Sequence, residues 1–307
     1  MTPTRSAWWL VSGTVLVAVF APTSLPLAGL AFAGLQLAGG TRSGVAGAAA
    51  LVVGLLSLRL VTEPQGDAVD GVTAVFQLLT AAAFVAAAWA GRAPFLRRAT
   101  GALTGGAVAA LALAWIAGRG MSWGLLAWET RRQVSFAERS LVETMKPETM
   151  AALYPMYEPM VRLLSTARPG LEILGAYAAL AAAWQWHVRT SRAPLGPPLA
   201  PFREFRIADG AVWGVVAATA AWIASAHLPG LRIAAENAGL VLGALYLLRG
   251  AAVLGAAAAV LAVPAWVQAT AALSGLLFVA VAAPGLCVLG VSDTWLEFRR
   301  RLDGRPN

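Results

Sequence analysis

Cysteine, histidine and lysine are nearly missing from this 307-residue chain, which has Cys287, His187 and His227, and Lys146 and no others. One cysteine excludes a disulfide scaffold, and one cysteine with two histidines cannot complete an ordinary zinc site. Charge is scarce too: 12% of residues are charged, against about 25% in soluble proteins. What fills the space is apolar. Hydrophobic residues make up 59% of the chain and mean hydropathy is +0.69. No soluble core could hide that much apolar surface, so a soluble enzyme and a disordered chain are both excluded. The composition describes an all-α, polytopic transmembrane bundle.

The net charge is +8, from 23 basic and 15 acidic residues. No basic run interleaves with aromatic residues, so nucleic acid is not a partner. The charges instead report topology, because short Lys/Arg-rich loops stay in the cytoplasm. Arg5 precedes an apolar run over 8–20. Pro22 would follow the cleavage site that Val19 and Ala21 suggest, a poor fit, so we expect a retained first helix with a cytoplasmic N-terminus.

Uncharged stretches cover 6–41, 43–58, 71–91, 99–118, 173–188, 210–231 and 250–292. A helix needs about 20 apolar residues to cross the hydrocarbon. The prolines of Ala21-Pro-Thr-Ser-Leu-Pro26 divide the first stretch into spans near 7–21 and 25–39. Gly39-Gly40-Thr41-Arg42-Ser43 then turns in the cytoplasm into a span near 43–62. Glu63, Asp67 and Asp70 form an acidic outer loop. Spans near 71–91 and 99–118 flank Arg92, Arg97 and Arg98 on the inside.

Residues 119–169 mix charges with apolar positions at helical spacing, and Pro147, Pro155, Pro159 and Pro169 are expected to cut them into short pieces. They read as an extracytoplasmic insert between spans five and six, either amphipathic helices on the bilayer or a solvated helical loop. A sixth span near 170–187 leads into a basic, Pro-rich cytoplasmic loop over 188–208, and a seventh covers 209–228.

The last third admits two readings within one integral membrane domain over 1–307. Helices near 233–263 and 266–290 give nine spans, with Arg249 near mid-membrane and Arg299-Arg300-Arg301 outside. A break at Arg249-Gly250 gives ten, with a thin ninth helix over 250–263 and a basic cytoplasmic tail over 293–307. We favour ten, with Arg249 either snorkelling to the inner interface, which we prefer, or buried as a charge that awaits an acid.

Five Gly-x-x-x-Gly pairs are close to chance at this glycine content and indicate packing. Gly120-Met-Ser-Trp-Gly124 matches a nucleophile elbow but lies at a membrane-helix end, without the strand-to-helix turn and histidine base that the motif requires. Polar residues at membrane depth weigh more, because they are expensive there. They are Gln36, Gln77, Glu236, Asn237, Arg249 and Gln268. Of these, Gln36, Gln77, Glu236, Asn237 and Arg249 are candidate ligand contacts. Arg232 lies one turn before Glu236, so the two can simply pair. In the tail, Asp293 and Glu297 are expected on one helical face, with Glu297 pairing Arg301. Arg203, Glu204, Arg206, Asp293, Glu297, Arg299 and Arg300 are candidate contacts for a partner or for lipid headgroups.

Pro201-Phe-Arg-Glu-Phe-Arg206, Asn237, Arg249-Gly250, Gly290-Val-Ser-Asp293 and Glu297-Phe-Arg-Arg300 together resemble the YybS-like family of bacterial membrane proteins. The Pro-bracketed second span, from Leu25-Pro-Leu to Gly39-Gly40, fits as well. The resemblance implies a bacterial inner-membrane protein without an established activity. Its N-terminal layout is similar to that of the substrate-binding S components of energy-coupling-factor transporters and of the scaffold MreD. S components often carry Ala-x-x-x-Ala on the first helix, which this chain lacks, and the family more often has Gln where Arg249 stands.

Two functions follow. The first, slightly favoured, is an S-component-like subunit that binds or transports a small molecule, with sites at the Pro22/Pro26 break or the 250–264 segment. The second is a non-catalytic scaffold recruiting another membrane or cytoplasmic protein through Phe202–Arg206 and Asp293–Arg301. Neither implies a cofactor, and an enzyme lacks a nucleophile, base or metal set.

Overall fold

The computed structural model describes residues 22–62, 68–91, 93–116, 128, 132, 147–228, 230–302 and 304. The first span over 7–21, Glu63, Asp67, Arg92, most of 119–146 and the motif at 120–124 lie outside the described residues, as do the side chains of Asp70 and of 147–165. Among the described residues every extended element is helical, and the chain belongs in a membrane bundle. Five helices among the described residues are long and apolar enough to cross a bilayer. Exposed Trp89, Trp115, Trp213, Trp222, Trp266 and Trp295 each lie within two residues of a helix end, where an indole meets the lipid headgroups.

Two compact units divide at Leu199/Ala200. In the first, a short 3-10 turn at Pro22–Ser24 opens into α1, Leu25–Gly39. Pro26 near the first turn is tolerated because its missing N–H has no partner there. Gly40, at φ 66°, ends α1 in a conformation that favours glycine. Helices α2 (Gly44–Thr62), α3 (Ala68–Ala90), α4 (Phe95–Ile116) and α5 (Pro147–Thr190) follow. Leu27, Ala31 and Leu35 share one face of α1 and meet Phe84 of α3, Ala99 and Leu103 of α4, and Leu180 and Trp184 of α5. Small residues let these helices close up. A Cβ on Gly29 would lie 1.9 Å from Ser57 Oγ, and one on Gly106 would lie 2.1 Å from Thr80 Oγ1. Most of α2 is exposed, and Leu and Val are the large side chains on that lipid-facing surface.

The expectation that prolines cut 147–169 into pieces fails. Helix α5 runs unbroken through Pro155, Pro159 and Pro169 for 44 residues, about 66 Å. Each proline removes only its own N–H bond and bends the helix, and the remaining ladder carries it on. The segment near 170–187, expected as the sixth span, is therefore the C-terminal part of a helix about twice as long as the hydrocarbon is thick.

The second unit comprises α6 (Ala211–Ala224), α7 (Gly230–Val260), α8 (Ala265–Leu277), α9 (Val279–Leu296) and α10 (Phe298–Leu302). Gly214 of α6 seats the Leu242 side chain of α7, which closes an antiparallel hairpin. Helices α7 and α9 touch backbone to backbone: a Cβ on Gly250 would lie 2.0 Å from Leu286 O, and one on Gly290 2.0 Å from Tyr246 O. Cys287 Sγ donates to Gly243 O, and Arg249 Nε donates to Asp293, each pair 44 residues apart. Gly290 and Tyr246 share that offset, so α7 and α9 run parallel and α8 carries the chain back between them.

This arrangement corrects the ten-span reading in one respect. The chain does not break at Arg249-Gly250, because α7 is continuous there; Pro264 and the turn before it supply the break, and the thin helix is α8. Glycine alone does not end a helix when a partner backbone packs against it. The nine-span alternative had this long helix, near 233–263 against the observed Gly230–Val260, but it put 201–206 and Arg299 on opposite faces. Arg299 donates to Phe205 O at 2.8 Å.

Two outcomes check this. Cysteines replacing exposed Arg203 and Arg300 should react with a membrane-impermeant maleimide from the same side only. Gly290→Ala should lower stability in SDS titration by about 1–3 kcal/mol through overpacking, whereas Gly101→Ala, where a Cβ meets open space, should not.

Candidate functional site

In the first unit, polar side chains gather at both ends. Gln77 of α3 donates through Nε2 to the carbonyl of Thr23, in the turn that precedes α1. The Thr23 hydroxyl donates to Glu172 Oε2 of α5 at 3.1 Å. A buried amide, a hydroxyl and a half-buried carboxylate therefore converge at the Pro22/Pro26 break. Glu172 escaped the sequence analysis because it borders the uncharged stretch. It nevertheless falls inside the span near 170–187, and its position alone could have marked it.

The other end of this unit is tied by backbone. Thr41 and Ser191 form an antiparallel bridge. Arg42 N donates to Thr190 O at 2.9 Å and Ala193 N to Gly39 O at 3.1 Å. Ser191 Oγ donates to the Gly39 or Gly40 carbonyl, both at 2.9 Å. Gln36 donates to the Thr190 hydroxyl. Buried Arg98 donates to Gly91 O at 2.6 Å and lies 5.0 Å from the Trp184 ring centroid. His187 Nε2 accepts from Leu195 N at 3.2 Å, which requires that nitrogen to be unprotonated. Three connectors that the basic residues assigned to the cytoplasm thus meet at one end. Gln36 and Gln77 are not brought together: α1 separates their contacts by about 20 Å.

In the second unit, Asp293 is the centre of a buried ion cluster. Its Oδ2 accepts from Arg249 Nε at 3.0 Å and from Arg299 Nη2 at 2.8 Å. All three residues are at most 5% exposed. Arg249 also donates to Asp293 O at 3.1 Å, and its Nη1 lies 3.5 Å from exposed Asp209. Arg299 reaches Phe205 O and Arg203 O as well, at 2.8 and 3.4 Å. Two buried cations thus share one buried anion, and backbone carbonyls and the rim carboxylate of Asp209 offset the second charge.

Several expectations change here. Arg249 does not snorkel; the second reading holds, a buried charge whose acid is Asp293. Arg299 and Asp293, expected to face lipid or a partner, are buried together. Glu297 does not continue the helix of Asp293: at φ 45° it ends α9, and it pairs with Arg300 at 2.6 Å instead of Arg301. That turn brings Arg299 back onto Asp293, a long-range attraction that helical periodicity cannot register. Arg203, Glu204 and Arg206 are exposed. Arg203 and Glu204 are only loosely paired, at 4.0 Å. Glu236 pairs with Arg232 at 2.9 Å, and Asn237 donates to Ile233 O within its own helix. Gln268 is exposed and donates to Val263 O. Glu236 and Asn237 are about 18 Å along α7 from Arg249 and share no site with it.

Asp293→Ala would strand two buried guanidinium groups. It should lower stability by about 3–5 kcal/mol in SDS titration. Arg249→Met should cost less, because Asp293 keeps Arg299. Equal stability of all three proteins would show that the cluster does not hold this unit together.

A family model described as "Predicted membrane protein (DUF2232)" matches residues 10–294, and the chain belongs to that family. No curated protein and no solved structure matches it.

Proposed function

We propose that this DUF2232 member is a non-catalytic, multi-pass subunit that binds a small molecule, with its site where Thr23, Gln77 and Glu172 converge. The convergence is the observation that carries the reading. Glu172 lies in the sixth span that the sequence leads us to expect near 170–187, and an ionisable side chain at membrane depth is expensive and marks function by default. It stands beside a proline-broken helix start, the kind of place where transporters build their sites. Glu172 and the Thr23 carbonyl are both acceptors, so the arrangement suits a ligand with a cationic or hydrogen-bond-donating group. By the positive-inside rule the site faces outward, while the 39–43 and 188–208 connectors face the cytoplasm of a bacterial cell. An S-component-like role, with a separate energising subunit, agrees with this placement.

The alternative, a scaffold recruiting partners through its cytoplasmic segments, draws on one observation. The buried charges of the second unit are consumed in pinning the 202–209 connector to the tail, which leaves none directed at a ligand. Photocrosslinkers replacing Glu204 and Glu297 would capture a protein partner in cells if that alternative is right.

The deciding experiment is a high-resolution structure of the protein in lipid. Density bridging Glu172 and Gln77, lost in Glu172→Ala, is the expected result. A cluster closed on itself without density, in protein taken directly from cells, would overturn the reading.

A further inference from the structure

The end of the second unit that carries the ion cluster presents basic and aromatic side chains to its surroundings. Arg299 holds two segments together there through its bonds to Phe205 O and Asp293. Their exposed neighbours include Arg206, Arg300 and Arg301. Glu297 occupies Arg300 at 2.6 Å. Arg206 and Arg301 make no ion pair with a described residue. Counting Arg203 and the buried trio, six arginines stand against Glu204, Asp209, Asp293 and Glu297, a net charge of +2.

Two exposed tryptophans flank this surface. Trp295 lies two residues past Asp293, in the last turn of α9, and is 65% exposed; Trp213 lies in the first turn of α6, four residues past Asp209, and is 72% exposed. Indoles at helix ends settle at the headgroup level. The ion cluster therefore lies near that level, and the free arginines reach into the layer where lipid phosphates are found. Guanidinium groups match phosphate with paired, charge-assisted hydrogen bonds. A backbone held by buried ion pairs presents them without much ordering cost.

We propose that this end of the second unit binds the headgroup of an anionic phospholipid, with Arg206 and Arg301 holding the phosphate and Trp213 and Trp295 setting its depth. The charge complementarity and the headgroup-level tryptophans favour lipid over a soluble protein partner. The inference is independent of the ligand site in the first unit.

The test uses the full chain, purified and reconstituted in nanodiscs of phosphatidylcholine with a minor fraction of brominated phosphatidylglycerol or brominated phosphatidylcholine. Quenching of tryptophan fluorescence reports which lipid gathers at the protein. Phosphatidylglycerol should be enriched over phosphatidylcholine, by about fivefold for each arginine that engages it. Arg206→Gln with Arg301→Gln should abolish most of that enrichment with an unchanged melting temperature, because both side chains are exposed. Arg232→Gln, which removes an exposed charge from the start of α7, should leave it intact. Equal quenching by the two lipids in the unaltered protein would overturn the proposal. So would an equal loss from Arg232→Gln, which would mean that only overall charge matters. Enrichment that persists in the double variant would place the lipid elsewhere and overturn it too.

Discussion

One carboxylate, that of Asp293, governs the second unit. It is the only buried anion described there, and it serves two buried guanidinium groups that the low-dielectric surroundings would otherwise penalise heavily. Its position depends on packing as much as on charge. The α7–α9 crossing needs both Gly250 and Gly290, because a methyl group at either would collide with the facing backbone. Only at that separation does Arg249 reach across. The left-handed turn at Glu297 then returns Arg299 to the same oxygen and draws the 202–209 connector in with it. Small residues, ion pairs and chain reversal form one cooperative arrangement, so loss of any of them should be felt by the other two.

The first unit is built differently. Its buried contacts are apolar or neutral hydrogen bonds, apart from Arg98 under Trp184. One end is knitted through Thr41, Ser191 and their neighbours. The opposite end carries Glu172, which accepts from the Thr23 hydroxyl and is attracted by Arg168 one turn earlier.

Much of this architecture was legible in the sequence. Gaps between charges placed helices α1 to α4, and the Pro22/Pro26 break and the Gly39-Gly40 turn fell where the structure has them, because proline and glycine act on their own backbone. Helix α5 was misjudged for a related reason: proline bends a helix whose neighbours supply the remaining bonds. Arg249 was misjudged because its partner is 44 residues away, and no local pattern encodes a pairing at that distance. The tail failed similarly, since one unusual φ at Glu297 redirects every side chain after it. For the site, Gln77 and the proline break were visible in the sequence. Glu172 was visible as a residue but not as a neighbour of Thr23.

The separation of Arg249 from Asp293 also bears on how the protein is made. At about 5–20 residues per second, the ribosome adds Asp293 about 2–9 s after Arg249. During that interval α7 exists without its buried counter-charge, with only the exposed Asp209 already made, and the backbone crossing that seats Arg249 has no second helix. The guanidinium must then sit in water or among headgroups, stretched along its own stem. Arg249 is therefore a surface residue in the nascent chain and a core residue in the finished one, and its burial is deferred until translation of α9 is nearly complete.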